Sequence, residues 1–210
     1  MLDLIGRGGP VMLPILVAFL SGVVVFLMRL WSLRRTRVAP SLVVGRVRDW
    51  IEAGQPLVAA DQCATGSSSL ERILAVGLCH AGQSRASIKE RMEEVGRREH
   101  ARLARYVGLV GVVATIEPLL GLLGTVTGMI DVFQGVVGGG VGDPKALANG
   151  IWSALITTAA GLSTGIPAYL AFRYLNAQVD DRMLELEMSA LDVLERIAAR
   201  EGHLLTRSGV

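Results

Sequence analysis

Glu117 is the residue with the clearest capacity for chemistry, because it is a lone acid inside the apolar stretch Tyr106–Ile130. An ionisable side chain facing lipid costs about 3 kcal/mol on insertion scales, so such residues face a protein interior or a wet cavity. A carboxyl group in that setting can exchange a proton or hold a cation. Pro118 follows it and leaves the Ala114 carbonyl without its helical partner, so we expect the helix to bend there.

Glycines recur on the same helical face as Glu117. The spacing 4-3-4-3-4 defines one stripe: Glu117, Gly121, Gly124, Gly128, Asp131 and Gly135. Glycines on a membrane helix let another backbone approach closely, and Gly124 and Gly128 form a GxxxG pair. The stripe therefore predicts a helix-packing face, which accounts for the glycines but not for the acid.

Hydroxyl side chains accompany the acid on two apolar stretches: Thr125 on the second, and Ser153, Thr157, Thr158 and Thr164 on the third. A hydroxyl is cheap to keep in a membrane helix because it can bond to a carbonyl of its own helix. Each one alone therefore indicates packing. Together with Glu117 they predict a polar path between two antiparallel spans.

Three apolar stretches must position these groups: Gly8–Met28, Tyr106–Ile130 and Ala146–Phe172. Each can cross a bilayer, since about 20 residues rising ~1.5 Å each span a hydrocarbon core of ~30 Å. They predict an all-α membrane protein with three transmembrane helices. The first stretch could instead be a signal peptide, but the run RLWSLRRTR after it is typical of a stop-transfer signal.

The basic residues predict the orientation of the spans. They cluster in two places, Arg29, Arg34, Arg35 and Arg37 after the first span, and Lys89, Arg91, Arg97, Arg98, Arg102 and Arg105 before the second. The 131–145 loop carries only Lys145. The positive-inside rule then predicts a periplasmic N-terminus and a cytoplasmic C-terminus. Cys63 and Cys79 fall in the cytoplasmic part, where a structural disulfide is not expected.

Periodicity predicts helices beyond the membrane. One helix is expected from about Ser87 to about Phe133, and capping boxes are expected at Ser68/Glu71 and Ser87/Glu90. An apolar seam with 4-4-3-4-3-4 spacing continues the third span: Leu175, Val179, Met183, Leu186, Ala190, Val193 and Ile197. Both the second and the third helix are therefore predicted to extend well into the cytoplasm.

These patterns divide the chain into six parts: 1–30, the outside N-terminus and first span; 31–104, a cytoplasmic helical loop; 105–134, the second span; 135–147, an external Gly-rich loop; 148–175, the third span; and 176–210, a cytoplasmic helical tail. The Gly-rich loop lacks the Lys-Ser/Thr of a phosphate-binding loop. No nucleophile–base pair or metal cluster is visible, so we predict neither an enzyme nor a cofactor. The net charge of +2 does not indicate nucleic-acid binding.

The most specific runs are PLLGLLGTVTGMIDVFQ (118–134) and ALANGIWSALITTAAGLSTGIPAYLAFRYL (146–175). They resemble the ExbB/TolQ/MotA family of proton-channel stator proteins, and the resemblance covers about residues 84–180. The three-span layout resembles the ExbB and TolQ branch.

The resemblance implies a homopentamer in the bacterial inner membrane, surrounded by lipid. It implies a single-span partner of the ExbD/TolR type in a central pore, whose Asp carries protons together with channel threonines. The proton motive force would thereby drive a third protein, of the TonB or TolA type. By motif, Thr125 in GLLGTV and Thr158 in ALITTAAG match the pore threonines of the family, and Pro167 in GIPA matches its kink.

This chain departs from the family pattern at Ser153, where the run GIxEAL usually has Glu and this chain reads GIWSAL. Glu117 stands where many members have Ala. Two interpretations follow: Glu117 replaces the missing acid, or the Asp of the partner suffices as the carrier. We favour the second interpretation and expect Glu117 to be an exit-side proton or cation group.

Three functions remain open at this point. The leading one is a proton-channel subunit that drives import or envelope work. A motor for surface motility or gliding, or one driven by sodium, is an alternative within the family. A non-conducting membrane scaffold is the alternative from another class, and it is favoured by the glycine stripe and the apolar seam.

Overall fold

The computed structural model describes residues 9–34, 38–139 and 144–207. In these ranges every regular element is a helix, and no strand occurs. The helices are α1 Met12–Ser32, α2 Ser41–Ala53, α3 Pro56–Ala64, α4 Ser69–Cys79, α5 Arg85–Ala104, α6 Val107–Gly139 and α7 Pro144–Arg207. The predicted all-α class is confirmed. The predicted start of the first span at Gly8, the basic residues Arg35 and Arg37, and positions 140–143 of the Gly-rich loop lie outside the described residues.

Three helical segments are long and apolar enough to cross a membrane: Met12–Ser32, Val107–Val137 and Leu147–Arg200. This confirms the predicted number of spans. The chain divides into two compact units. The span unit comprises Met1–Arg29 and Tyr106–Leu175, and the helical unit comprises Leu30–Arg105 and Asn176–Val210.

The predicted single helix from Ser87 to Phe133 is wrong at one point. Helix α5 ends at Ala104 and α6 begins at Val107. Between them Tyr106 has a positive φ of 67°, a left-handed conformation that costs a residue with a Cβ roughly 1–2 kcal/mol. Such a residue interrupts the helical hydrogen-bond ladder, so the second span does not extend beyond the membrane as one continuous helix. The Arg29 guanidinium lies 5.3 Å from the centre of the Tyr106 ring.

Helix α7, in contrast, continues past the third span without interruption, as predicted. The predicted seam on it is confirmed at five of its seven positions, because Leu175, Val179, Leu186, Val193 and Ile197 are at most 3% exposed, whereas Met183 and Ala190 are half-buried. In the helical unit the carboxylate of Asp192 on this helix pairs with Arg48 of α2, with a distance of 2.8 Å between Arg48 Nη2 and Asp192 Oδ2.

The short helices of the helical unit have clear end signals. Helix α2 ends at Gly54, which has a φ of 85° and supplies the left-handed residue that often terminates helices. The capping box of Ser68 and Glu71 is confirmed at the start of α4. The box predicted at Ser87 is wrong, because α5 begins two residues earlier and its N-cap is Ser84, which accepts a hydrogen bond from the Ser87 amide.

Candidate functional site

Helices α6 and α7 lie backbone to backbone in the span unit. A Cβ added at Gly121 would lie 3.0 Å from the Thr157 carbonyl oxygen and 3.3 Å from the Gly161 Cα. A Cβ added at Gly161 would lie 2.5 Å from the Glu117 carbonyl oxygen. These distances leave no room for a side chain, so the close approach depends on glycine at both positions.

The other residues of the predicted packing face follow along this interface. Gly124 faces the Thr157 side chain, and Gly128 faces Ala154. The ring of Pro118 lies against Gly165, where an added Cβ would be 2.8 Å from the proline Cδ. The stripe does not remain buried along its whole length, because Asp131 and Gly135 are exposed.

Pro167 lies inside α7 and is exposed. Its neighbour Ala168 is buried in a small apolar cluster with Val113 and Ala114 of α6. The part of the interface on this side of Glu117 is therefore apolar.

Glu117 faces α7 and is completely buried, with an exposed fraction of 0%. Its Oε2 accepts a hydrogen bond of 2.9 Å from the Thr164 hydroxyl. Its Oε1 is buried as well and has no hydrogen-bond partner among the described residues. The acid is thus half satisfied, in a region where unsatisfied polar atoms are rare and costly.

Thr164 was one of the hydroxyls on the predicted polar path, but its pairing with Glu117 was not predicted. Its Oγ1 lies 2.9 Å from Glu117 Oε2, 2.9 Å from the Ala160 carbonyl oxygen and 3.2 Å from the Gly161 carbonyl oxygen. The stripe it shares with Ser153 and Thr157 was visible, but pairing it with Glu117 requires the register of α6 against α7, which periodicity does not supply.

Thr158 also bonds across the interface, where it donates to the Gly121 carbonyl oxygen at 2.9 Å. Thr157 is 1% exposed and donates to Ala154 of its own helix at 2.7 Å. Thr125 donates to Leu122 of its own helix at 2.6 Å and is half-buried.

Ser153 is half-buried and stands 11 residues before Thr164 on α7, or roughly 16 Å along the helix axis. Glu117 is therefore far from the position where the family pattern has its acid. The predicted residues form two levels: Glu117 with Thr164 at one, and Thr157, Thr158 and Ser153 at the other.

In the described ranges no group of three His, Cys, Asp or Glu side chains is placed to hold a metal ion. What the interface offers is a buried carboxyl group with one hydroxyl partner, and a second hydroxyl that bridges the helices. A carboxyl group in such a setting can bind and release a proton.

Comparison with known proteins gives an independent result. Residues 66–188, more than half of the chain, match the model of the MotA/TolQ/ExbB proton channel family. The chain is 37% identical to the putative biopolymer transport protein ExbB-like 1 of Synechocystis over 180 residues. The aligned segment covers 83% of this chain and 70% of that protein.

Two further relatives extend the comparison. A putative ExbB homolog of Methanothermobacter thermautotrophicus is 28% identical over 188 residues, 89% of this chain and 67% of that protein. The Tol-Pal system protein TolQ of Haemophilus influenzae is 37% identical over 83 residues, 40% of this chain and 36% of that protein.

Proposed function

Because the chain belongs to the MotA/TolQ/ExbB proton channel family, we propose that it is the channel subunit of an inner-membrane complex that uses the proton motive force to drive a partner protein. The observation that carries the proposal is the buried carboxyl group of Glu117 between α6 and α7. An acid at 0% exposure within a membrane span is expensive, and helix packing alone does not require it.

Thr125 and Thr158 are proposed as the threonines of the proton path. They stand in the runs GLLGTV and ALITTAAG, which carry the family resemblance. Thr125 is only half-buried in the single subunit and makes a hydrogen bond within its own helix, which leaves it accessible to a partner helix and supports a role at a pore. Thr158 and the buried Thr157 would line the pore behind Thr125.

The assembly belongs to the same proposal. We expect a homo-oligomer, in the family manner a pentamer, around an ExbD/TolR-like single-span partner, with a TonB- or TolA-like protein as the recipient of the work. Large apolar side chains on α6 remain exposed in the single chain: Leu119, Leu122, Leu123 and Val126. Such a surface supports contact with lipid or with further copies of the subunit.

The proposed orientation has a periplasmic N-terminus and a cytoplasmic C-terminus, and it rests on the distribution of basic residues. Ser153 lies about 16 Å along α7 from Thr164, the partner of Glu117, and this separation favours the interpretation that Glu117 does not stand in for the acid missing at Ser153. We therefore assign the main proton carrier to the partner's Asp and treat Glu117 as a separate group.

Proton flux in proteoliposomes tests this function. The protein would be co-purified with its single-span partner and energised by a potassium diffusion potential, while an enclosed dye reports the internal pH. We expect Thr158→Ala and Thr125→Ala to abolish the flux without changing the mass of the complex. Thr115→Ala is the matched control, because Thr115 is an exposed hydroxyl on α6 that bonds only to Gly111 of its own helix. Equal flux in all three variants would show that the threonines do not form the path.

A further inference from the structure

The unpartnered oxygen of Glu117 calls for an explanation. Oε1 is buried and has no hydrogen-bond partner among the described residues, while Oε2 has one. Burying an ionised carboxylate without a partner costs several kcal/mol even after relaxation, and the bilayer offers no compensating water. The geometry therefore fits a carboxyl group that carries a proton while the helices are packed.

Within the described part of the span unit, no opposite charge is close enough to change that conclusion. The other charged residues in the described part of the span unit are Arg29, Asp131, Lys145 and Arg173. Arg29 lies at the Tyr106 ring, 11 residues before Glu117, and thus roughly 16 Å away along α6. Along their helices, Asp131 is roughly 21 Å from Glu117, Arg173 roughly 14 Å from Thr164, and Lys145 roughly 28 Å from Thr164.

Thr164 is placed to serve both protonation states of the acid. A hydroxyl has one proton to donate and two lone pairs to accept with. With Glu117 ionised, Thr164 donates to Oε2. With Glu117 protonated, the acid donates to Thr164 Oγ1, which then donates to the Ala160 carbonyl oxygen. The two acceptors of Thr164 lie at the same distance, 2.9 Å, so the proton can come and go without a change of rotamer.

The surrounding backbone excludes the water that an ionised carboxylate needs. A Cβ added at Gly165 would lie 3.3 Å from Glu117 Cβ, and one added at Gly161 would lie 2.5 Å from the Glu117 carbonyl oxygen. Solvating Glu117 thus requires α6 and α7 to separate locally. Proton occupancy and helix packing are then coupled, since each protonation state favours one arrangement.

We propose that Glu117 and Thr164 form a proton-operated lock between α6 and α7 of the single subunit. Packed helices hold Glu117 as the neutral acid. When the helices part and water enters, the O–H bond of the carboxyl group breaks, its electron pair stays on the carboxylate and the proton passes to water. Thr164 is the positioning residue, and the ligand is a proton. The lock rests on the proposed function for the use made of that proton, and it lies apart from the pore threonines.

A metal cation does not fit the site as well. A hard cation such as Ca²⁺ or Mg²⁺ takes about six or more oxygen ligands, whereas the side chains here supply one carboxylate and one hydroxyl. The neighbouring carbonyl oxygens of Ala160 and Gly161 lie within hydrogen-bonding distance of Thr164, whose single proton can reach either of them. A proton needs no such coordination shell.

Infrared difference spectroscopy of the full complex in lipid nanodiscs tests the lock. At neutral pH we expect a C=O stretching band of a protonated carboxyl group, which disappears in Glu117→Gln and remains in Asp131→Asn, the variant of the exposed acid on the same stripe. Thr164→Val should shift the band to higher frequency, and Thr164→Ser should restore it. If Thr164→Val fails to assemble, the Thr164→Ser spectrum and the shift on deuteration carry the test.

A carbodiimide gives a second readout, since it reacts with protonated carboxyl groups in apolar surroundings and leaves an adduct visible by mass spectrometry. We expect modification of Glu117 that declines as the pH rises.

Absence of both the band and the adduct would overturn the lock, and so would a band that disappears on adding sodium at constant pH. If Thr158→Ala abolishes flux but no band depends on Glu117, the lock is wrong and the proposed function stands. If the band behaves as expected but the complex conducts no protons, the lock stands and the proposed function is wrong.

Discussion

Two buried acids, one in each unit, are accommodated in opposite ways. Glu99 of the helical unit is 6% exposed, and Glu117 of the span unit is 0% exposed. Arg72 binds Glu99 with two parallel hydrogen bonds, Nε to Oε1 at 2.8 Å and Nη2 to Oε2 at 3.0 Å. Glu117 has a single bond from Thr164.

The difference separates a structural acid from an exchangeable one. Burial alone would raise the pKa of Glu99, but hydrogen bonds from Arg72 and Ser69, together with the charges of Arg72 and Arg102, outweigh it and lower that pKa. Glu99 therefore stays ionised and ties α5 to α4 through Arg72. Glu117 has a neutral partner that accepts as readily as it donates, which suits a group that changes its protonation state.

Breaking the arginine pair should have the largest effect. Arg72→Met leaves the carboxylate of Glu99 buried without its partner, and we expect the free energy of unfolding to fall by about 3 kcal/mol. Thermal unfolding of the purified protein, followed by circular dichroism, measures the loss. The double variant Arg72→Met/Glu99→Met is the control and should recover most of the stability, because it removes the stranded charge. A loss in the double variant as large as in the single one would show that Glu99 is not the reason.

Crowding the α6–α7 interface should have an intermediate effect. In Gly161→Ala the new methyl group meets the Glu117 carbonyl oxygen and the Gly121 Cα, both of them backbone atoms that cannot turn aside. We expect a loss of about 2 kcal/mol, measured by the same thermal unfolding. Gly108→Ala on α6 is the matched control, since an added Cβ there meets nothing within 4 Å and alanine favours a helix. Comparable stability of the two variants would mean that the helices are not in direct backbone contact.

Local patterns were sufficient to predict the parts of this fold that local interactions determine. The three spans, the Ser68 capping box and most of the buried seam of α7 follow from composition or periodicity within one element. The break at Tyr106 was not predictable in this way, because neither Gly nor Pro marks it and aromatic residues rarely adopt the positive φ that Tyr106 has.

The candidate site was predictable only in part, for the same reason. That Glu117 faces the protein follows from the cost of an acid in lipid. The glycine stripe predicted which face of α6 packs against another helix, and Glu117 lies on that face. Its pairing with Thr164, which is 47 positions later in the chain, depends on the relative register of α6 and α7. No pattern within a single helix contains that register. Glu99 gave no signal either, because an acid in a charged run is normally solvated.

A change of pH is expected to have the smallest effect on the unfolding temperature, and this experiment tests the two acids separately. Because the pKa of Glu99 is lowered in the folded protein from its ordinary value of 4.5, its contribution to stability is complete above 4.5 and is lost as the pH falls through the lower, folded value. The unfolding temperature of the wild-type protein should therefore fall on the acid side of 4.5. Glu99→Gln should flatten that slope, whereas Glu117→Gln, which replaces a neutral acid with a neutral amide, should leave it unchanged. A flattened slope in Glu117→Gln would mean that Glu117 is ionised in the folded protein, and the contrast between the two acids would then fail.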